Sequence, residues 1–326
     1  MVTLMPTSLH TFFVYVFFGY FFIFPLVYLC LKVFEITHPK QRMSMYMVAL
    51  IVPFAAFFLY HTVLTTQCRT GYYPAGPFWQ LFDLFCRAGD MAIRFLGPIL
   101  VLLIVLGLLK AAGSTLYLGR LHASALNPSA EQSLRVDTIM KKYCDRWQMS
   151  VPKVVFTGRK GFVAFAGGLF RPVVVVSLPL LEQLSDTEIE GVLLHELIHV
   201  RRGDTLSGWL FHLARDLMFF SPFSTILLDR YLLERERLCD QEAVAAMGRT
   251  KTYAATLLKS WRIVVEQKDV SPGVAAGFVG KKQHMEERIH SLLAADVVEN
   301  KLPQVLFLTL MFSVTTFTVL YLGYIC

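Results

Sequence analysis

A chain of 326 residues that is 55% hydrophobic, 17% charged and has a mean hydropathy of +0.52 departs from ordinary soluble domains, in which about 25% of residues are charged. This composition predicts an integral membrane protein. The net charge is +7, yet 24 of the 31 Lys+Arg and 21 of the 24 Asp+Glu lie within 118–302; that near-balance does not suggest direct nucleic-acid binding and leaves the remaining positive charge to loops facing an anionic leaflet.

In chain order, residues 1–10 hold no Lys or Arg, which argues against a cleaved signal peptide. Thr11 to Leu31 is an unbroken apolar run long enough to span a bilayer. Lys32, Lys40 and Arg42 follow, and a second span is predicted from about Ser44 to Leu64, around Pro53. The 65–90 loop carries Phe78, Trp79, Phe82 and Phe85, suited either to an interfacial helix or to simple packing on the spans. A third span covers Met91 to Ala112 and a fourth Leu302 to Cys326. The basic residues after spans one and three place those flanks in the cytoplasm, so the 65–90 loop faces outward. A Cys68–Cys86 disulfide and two unpaired thiols are both open there. The six cysteines show no metal-finger spacing.

Three segments result: 1–117 with three transmembrane helices, a cytoplasmic polar domain over 118–301, and a last transmembrane helix over 302–326. Within the polar domain, Ser129-x-x-Gln132 reads as a capping box. It opens a helix to about Met149 with Leu134, Ile139, Tyr143 and Trp147 at core spacing. Short apolar runs at Lys153–Phe156, Phe162–Phe165 and Val173–Ser177, punctuated by glycines, predict a small antiparallel sheet. Ser185-x-x-Glu188 opens the next helix, which ends near Gly203. Residues 205–229 are apolar enough for a fifth span, but Arg215, Asp216 and Pro222 favour a helix packed in the domain or at the membrane surface. Further helices are predicted at 222–247, 251–267 and 284–295.

The chemistry is concentrated in His195-Glu196-Leu197-Ile198-His199. Residues four apart lie about 40° apart on one helix face, so the two imidazoles can share one zinc ion. Glu196, one step round the helix, is placed to act as general base. Catalytic zinc takes three protein ligands. Downstream candidates are Asp204, Asp216, Asp229, Glu234, Glu236, Cys239, Asp240 and Glu242. Glu236 and Asp240 form a Glu-x-x-x-Asp pair on one helix face, the first suited to the metal and the second to the outer N–H of a ligating histidine, His195. Glu234, Arg235 and Arg237 read as a solvated charge run, and Cys239 as a small buried thiol.

HELIHVRRGD (195–204) followed by ERERLCDQEAV (234–244) resembles the gluzincin metallopeptidases, and most of all the BlaR/MecR-type membrane-embedded antirepressor peptidases. GGLFRPVVVVS before the helix resembles their strand region. The resemblance implies a mainly α membrane protein: four transmembrane helices with an α+β gluzincin domain inserted between the third and fourth. It implies Zn2+ held by His195, His199 and Glu236, with Glu196 as base and Asp240 behind the ligands. Signalling members of the family carry a penicillin-binding sensor domain beyond the last span; with the sequence ending at Cys326, direct β-lactam sensing is not expected of this chain. Related CAAX-processing and heat-shock zinc peptidases place a downstream His and Arg near the oxyanion; His284 and Arg288 are the nearest match, with an ordinary solvated helix face as the alternative. The function expected is a zinc endopeptidase of the bacterial inner membrane that cleaves cytoplasmic or juxtamembrane proteins, such as a transcriptional repressor, in regulated proteolysis. Membrane-protein quality control and a non-catalytic metal-holding scaffold are the competing readings. Self-cleavage and homo-oligomerisation stay open.

Overall fold

A computed structural model describes residues 4–59, 127–158, 164–218, 221–266 and 282–294, with isolated helical positions within 102–117 and 305–313. The chain divides into two compact units. One comprises 1–108, 211–234 and 297–326; the other comprises 109–210 and 235–296.

In the first unit, helices α1 (Leu4–Val33) and α2 (Pro39–Leu59) pack on one another. From Gly19 onward α1 buries Tyr20, Ile23, Val27, Cys30 and Leu31, a stripe at helical spacing. It meets Met45, Ala49 and Leu50 of α2, and Phe211, Leu227, Leu228 and Tyr231 complete the core. The Tyr20 hydroxyl donates to the Leu50 carbonyl at 2.8 Å. Arg42 Nε donates to Glu234 Oε1 at 2.6 Å, and Glu234 is 1% exposed.

Among the described residues no helix is long and apolar enough to cross a membrane. This corrects the four-span, membrane-embedded architecture, the lipid bilayer as a partner, the multi-pass inner-membrane location and the anchoring of the enzyme. Mean hydropathy reports burial of any kind and does not separate lipid contact from helix-on-helix packing, which is where the described stripe of α1 goes. In α2, Lys40, Gln41 and Arg42 fill the first turn, and Arg42 is held by a buried carboxylate. Among the described residues the run of α2 without a charged side chain is 43–59, shorter than the ~20 residues a span needs. The 65–90 loop with Cys68 and Cys86 lies outside the described residues, as do the segments expected to form spans three and four, isolated positions apart.

The second unit is a small sheet covered by helices. Helix α3 (Ala130–Arg146) begins at the predicted capping box, in which Ser129 and Gln132 bond reciprocally. Its buried face is Val136, Met140, Tyr143 and Cys144; of the residues expected in the core, Tyr143 is buried and Ile139 and Trp147 pack against the core, whereas Leu134 is 66% exposed. Strands β1 (Lys153–Thr157), β2 (Ala164–Gly167) and β3 (Val173–Ser177) form one sheet in the order β1-β3-β2. The sheet is mixed rather than antiparallel: β1 runs parallel to β3, and β2 antiparallel to it. All five residues of β3 are buried, as expected for a central strand of β-branched side chains covered on both faces. A short helix α4 (Leu178–Gln183) follows, then α5 (Asp186–Arg202), α6 (Asp204–Leu217), α7 (Pro222–Met247), α8 (Thr250–Glu266) and α9 (Lys282–Leu293). The stretch 205–229 is thus two helices broken before Pro222. The core joins Val174, Val176, Leu193, Leu194, Leu197 and Ile198 with Ala243, Tyr253 and Leu257.

The start of α5 gives a pH-dependent prediction. Glu188 accepts from the Ser185 amide at 2.9 Å and from Lys259 Nζ at 3.0 Å. Burial would raise its pKa, but these two partners outweigh it and hold the carboxyl below its ordinary value. A depressed folded pKa adds stability above the unfolded value of about 4.3, and that stability is lost as pH falls through the folded value. Glu188→Gln is expected to cost about 1 kcal/mol at pH 7 and clearly less in strong acid, read from thermal midpoints across that range. A pH-independent difference would contradict the assignment.

Candidate metal centre

Helix α5 carries the His pair and is held against α8 on the same face. Gly191 lies one turn before His195, and a Cβ there would come within 3.3 Å of the Tyr253 ring. Its missing side chain lets α8 approach closely enough for the Tyr253 hydroxyl to lie 3.0 Å from His195 Nδ1. At the far end Gly203 adopts φ 67°, ψ 29° and caps α5, its amide bonding the His199 and Val200 carbonyls. This left-handed cap, which glycine takes without strain, turns the chain so that Asp204 folds back on the last turn.

The inner ring nitrogens converge. His195 Nε2 and His199 Nε2 are 3.1 Å apart, and Glu236 Oε2 from α7 lies 3.4 and 3.7 Å from them. Tetrahedral zinc with bonds of about 2.0–2.1 Å separates its ligand atoms by about 3.3 Å, so this triangle is the size such an ion needs. Two imidazole nitrogens facing each other this closely also require a proton or a cation between them. The donor set therefore fits a divalent metal ion, and the three residues group as a candidate metal cluster.

The outer nitrogens are also engaged. His195 Nδ1 lies 3.2 Å from Asp240 Oδ1, to which Tyr253 donates at 2.8 Å. Arg288 Nε and Nη2 donate to both Asp240 oxygens at 2.7 Å. His199 Nδ1 lies 2.8 Å from Asp204 Oδ2 and 3.5 Å from Cys239 Sγ. Glu236 Oε1 accepts from Arg235 at 3.1 Å.

The electrostatics follow the contacts. Burial would raise Asp240, but the Arg288 guanidinium outweighs it and brings the carboxyl down to about 2. Burial likewise opposes a charged Glu236, yet the two imidazoles hold it well below the usual carboxylate range. Glu196 is different. Burial pushes its pKa up, and its Oε2 accepts from the Ala166 amide of β2 at 2.7 Å. A buried carboxyl with raised basicity is suited to taking up a proton. Burial pushes the Cys239 thiol up to about 11.

The structure thus brings together His195, Glu196, His199, Glu236 and Asp240. Arg288 is 7% exposed; it bonds both oxygens of Asp240, and its Nη1 lies 3.7 Å from Glu236 Oε2. His284, on the same helix, is half-buried and joins none of these hydrogen bonds. Glu234 and Arg235 are not a solvated run; Glu234 is buried and pairs with Arg42, and Arg235 pairs with Glu236. Sequence reasoning did not find Tyr253, which has no motif, and offered Asp204 only as a candidate metal ligand, whereas its carboxylate meets the outer nitrogen of His199.

Comparison with known proteins agrees with this geometry. The sequence profile described as BlaR1 peptidase M56 matches residues 93–292. The methicillin resistance mecR1 protein of Staphylococcus aureus is 23% identical over 133 residues, 40% of this chain and 22% of that protein. The protease HtpX homolog of Herminiimonas arsenicoxydans is 27% identical over 191 residues, 54% of this chain and 63% of that protein. That of Methanopyrus kandleri is 31% identical over 168 residues, 41% and 53% of the two chains. The chain spans about a fifth of the mecR1 relative and less than two thirds of these HtpX homologs. The match over 93–292 extends beyond half of the chain and encloses both metal-cluster segments: this chain belongs to the BlaR1 peptidase M56 family, at family level a group of zinc metallopeptidases.

Proposed function

We propose that this chain is a zinc-dependent endopeptidase acting on extended polypeptide segments. The observation that carries the reading is the convergence of His195 Nε2, His199 Nε2 and Glu236 Oε2 beside a buried, basic Glu196. His195, His199 and Glu236 would hold the ion. Zinc supplies Lewis acidity, which lowers the pKa of water from 15.7 toward about 7 and polarises a carbonyl. Glu196 takes the proton of the attacking water and returns it to the leaving amine nitrogen. The Ala166 amide orients the Glu196 carboxylate for both transfers. Strand β2 lies at the edge of the sheet and touches the base through Ala166, which supports an extended substrate backbone added alongside it. Such pairing reads the backbone more than the side chains, so segments without fixed structure are the expected substrates.

The test is metal stoichiometry together with hydrolysis. The purified chain is expected to bind one zinc per molecule and to cleave an unfolded casein. A chelator should remove both properties, and one equivalent of zinc should restore both. Cleavage that survives complete metal removal would overturn the reading.

A further inference from the structure

We propose that Asp204 is a positioning residue that fixes the tautomer and orientation of His199, so that its Nε2 faces the metal site. The inference rests on the zinc reading above. Asp204 is 4% exposed, and its Oδ2 meets His199 Nδ1 at 2.8 Å. Its carboxylate lies on the outer side of the ring, opposite the nitrogen that meets His195 and Glu236, so it does not complete that ligand triangle. The backbone dictates the contact: Gly203 ends α5 in a left-handed turn, and α6 begins at once with Asp204. Arg202 Nε lies 3.3 Å from the same carboxylate oxygen and keeps the buried charge compensated. An ionised carboxylate accepting from Nδ1–H leaves Nε2 as the lone-pair nitrogen and raises its basicity.

A second arrangement is available to the same atoms. His199, Asp204 and Cys239 also lie close enough together to hold an ion of their own. The nearby Arg202 opposes a cation there, and an ion would have to displace the 2.8 Å hydrogen bond. The geometry therefore favours a support for the ligand over a second metal site. His195 has a matching support in Asp240, which is held by Arg288. Each imidazole is thus backed by an aspartate that is itself backed by an arginine.

The experiment uses the full chain with Glu196→Gln to suppress self-digestion. Zinc affinity is measured by chelator competition, and the imidazole protons by 15N-histidine NMR of the zinc-loaded protein. Asp204→Asn is expected to weaken zinc binding about 10–100-fold and to move the His199 Nδ1–H resonance while leaving that of His195 in place. Asp204→Ser, which strands no buried amide, should give the same loss, and Cys239→Ser should leave the affinity unchanged. Wild-type affinity with an unmoved His199 resonance in both Asp204 variants would overturn the assignment. So would thiolate charge-transfer absorption on the first equivalent of Co2+ that disappears in Cys239→Ser, since the ion would then sit on the thiol side. Absence of zinc binding before any Asp204 change would instead remove the underlying zinc reading, a separate result.

Discussion

Glu196→Gln is expected to lower peptide hydrolysis by about 10²–10⁴-fold while leaving zinc content at one per chain. Glutamine keeps the length and planar shape of glutamate, and its carbonyl oxygen can still accept from the Ala166 amide that now bonds Glu196 Oε2. The backbone of α5 and the three candidate ligands are untouched. What is lost is an oxygen that can accept a proton, together with the raised pKa that burial gives it. Loss should therefore fall on kcat, with KM for an unfolded substrate little changed. Full activity in the variant would remove Glu196 from the chemistry. A variant that loses its zinc as well would show that Glu196 supports the site rather than the proton transfer.

Arg288→Met is expected to destabilise the fold by about 3–5 kcal/mol, the largest stability effect we anticipate in this chain. Arg288 bonds both oxygens of Asp240 at 2.7 Å, and Asp240 is completely buried. Removing the cation leaves a carboxylate without its main compensation in a place water cannot reach, and the full desolvation penalty then appears. The experiment is denaturant unfolding in the presence of a chelator, because bound metal adds stability of its own by mass action. Replacing both partners, as in Arg288→Met with Asp240→Leu, should recover a large part of the loss, since an uncompensated charge no longer remains. The zinc affinity of the double variant should stay low, because His195 has lost its outer acceptor. If Arg288 instead served only an oxyanion, the single variant would keep its unfolding midpoint and lose only kcat.

Several features were legible without coordinates because they are local. The i, i+4 spacing of His195 and His199 and the capping signals at Ser129 and Ser185 depend only on helix geometry, and the helices begin where those signals predict. The boundaries Val173–Ser177 and Pro222–Met247 were equally local, set by a β-branched run and by a proline start. The Glu236–Asp240 pair was readable for the same reason, one helix presenting two carboxylates on one side.

The expectations that failed are ones that required knowing what lies opposite. Apolar runs near the N-terminus read as bilayer spans, yet among the described residues no helix meets that requirement, and the described stripe of α1 is buried on protein. The direction of β1 relative to β3 is set by how the chain returns to the sheet, which three similar apolar runs do not encode. Leu134 has the spacing of a core residue and is exposed, because it lies in the first turn of α3, while Ile139, Tyr143 and Trp147 further along do reach the core. By itself the sequence determined that His195 and His199 share one helix face, since helical periodicity is a property of the chain alone; that Glu236, among eight downstream candidates, lies beside them was decided by the tertiary structure. Only the tertiary structure decided how those residues are held: a glycine without a side chain lets Tyr253 approach His195, a left-handed turn returns Asp204 to His199, and Arg288 closes on Asp240 from 48 residues away. Such contacts join distant segments through packing, and no spacing in the sequence records them.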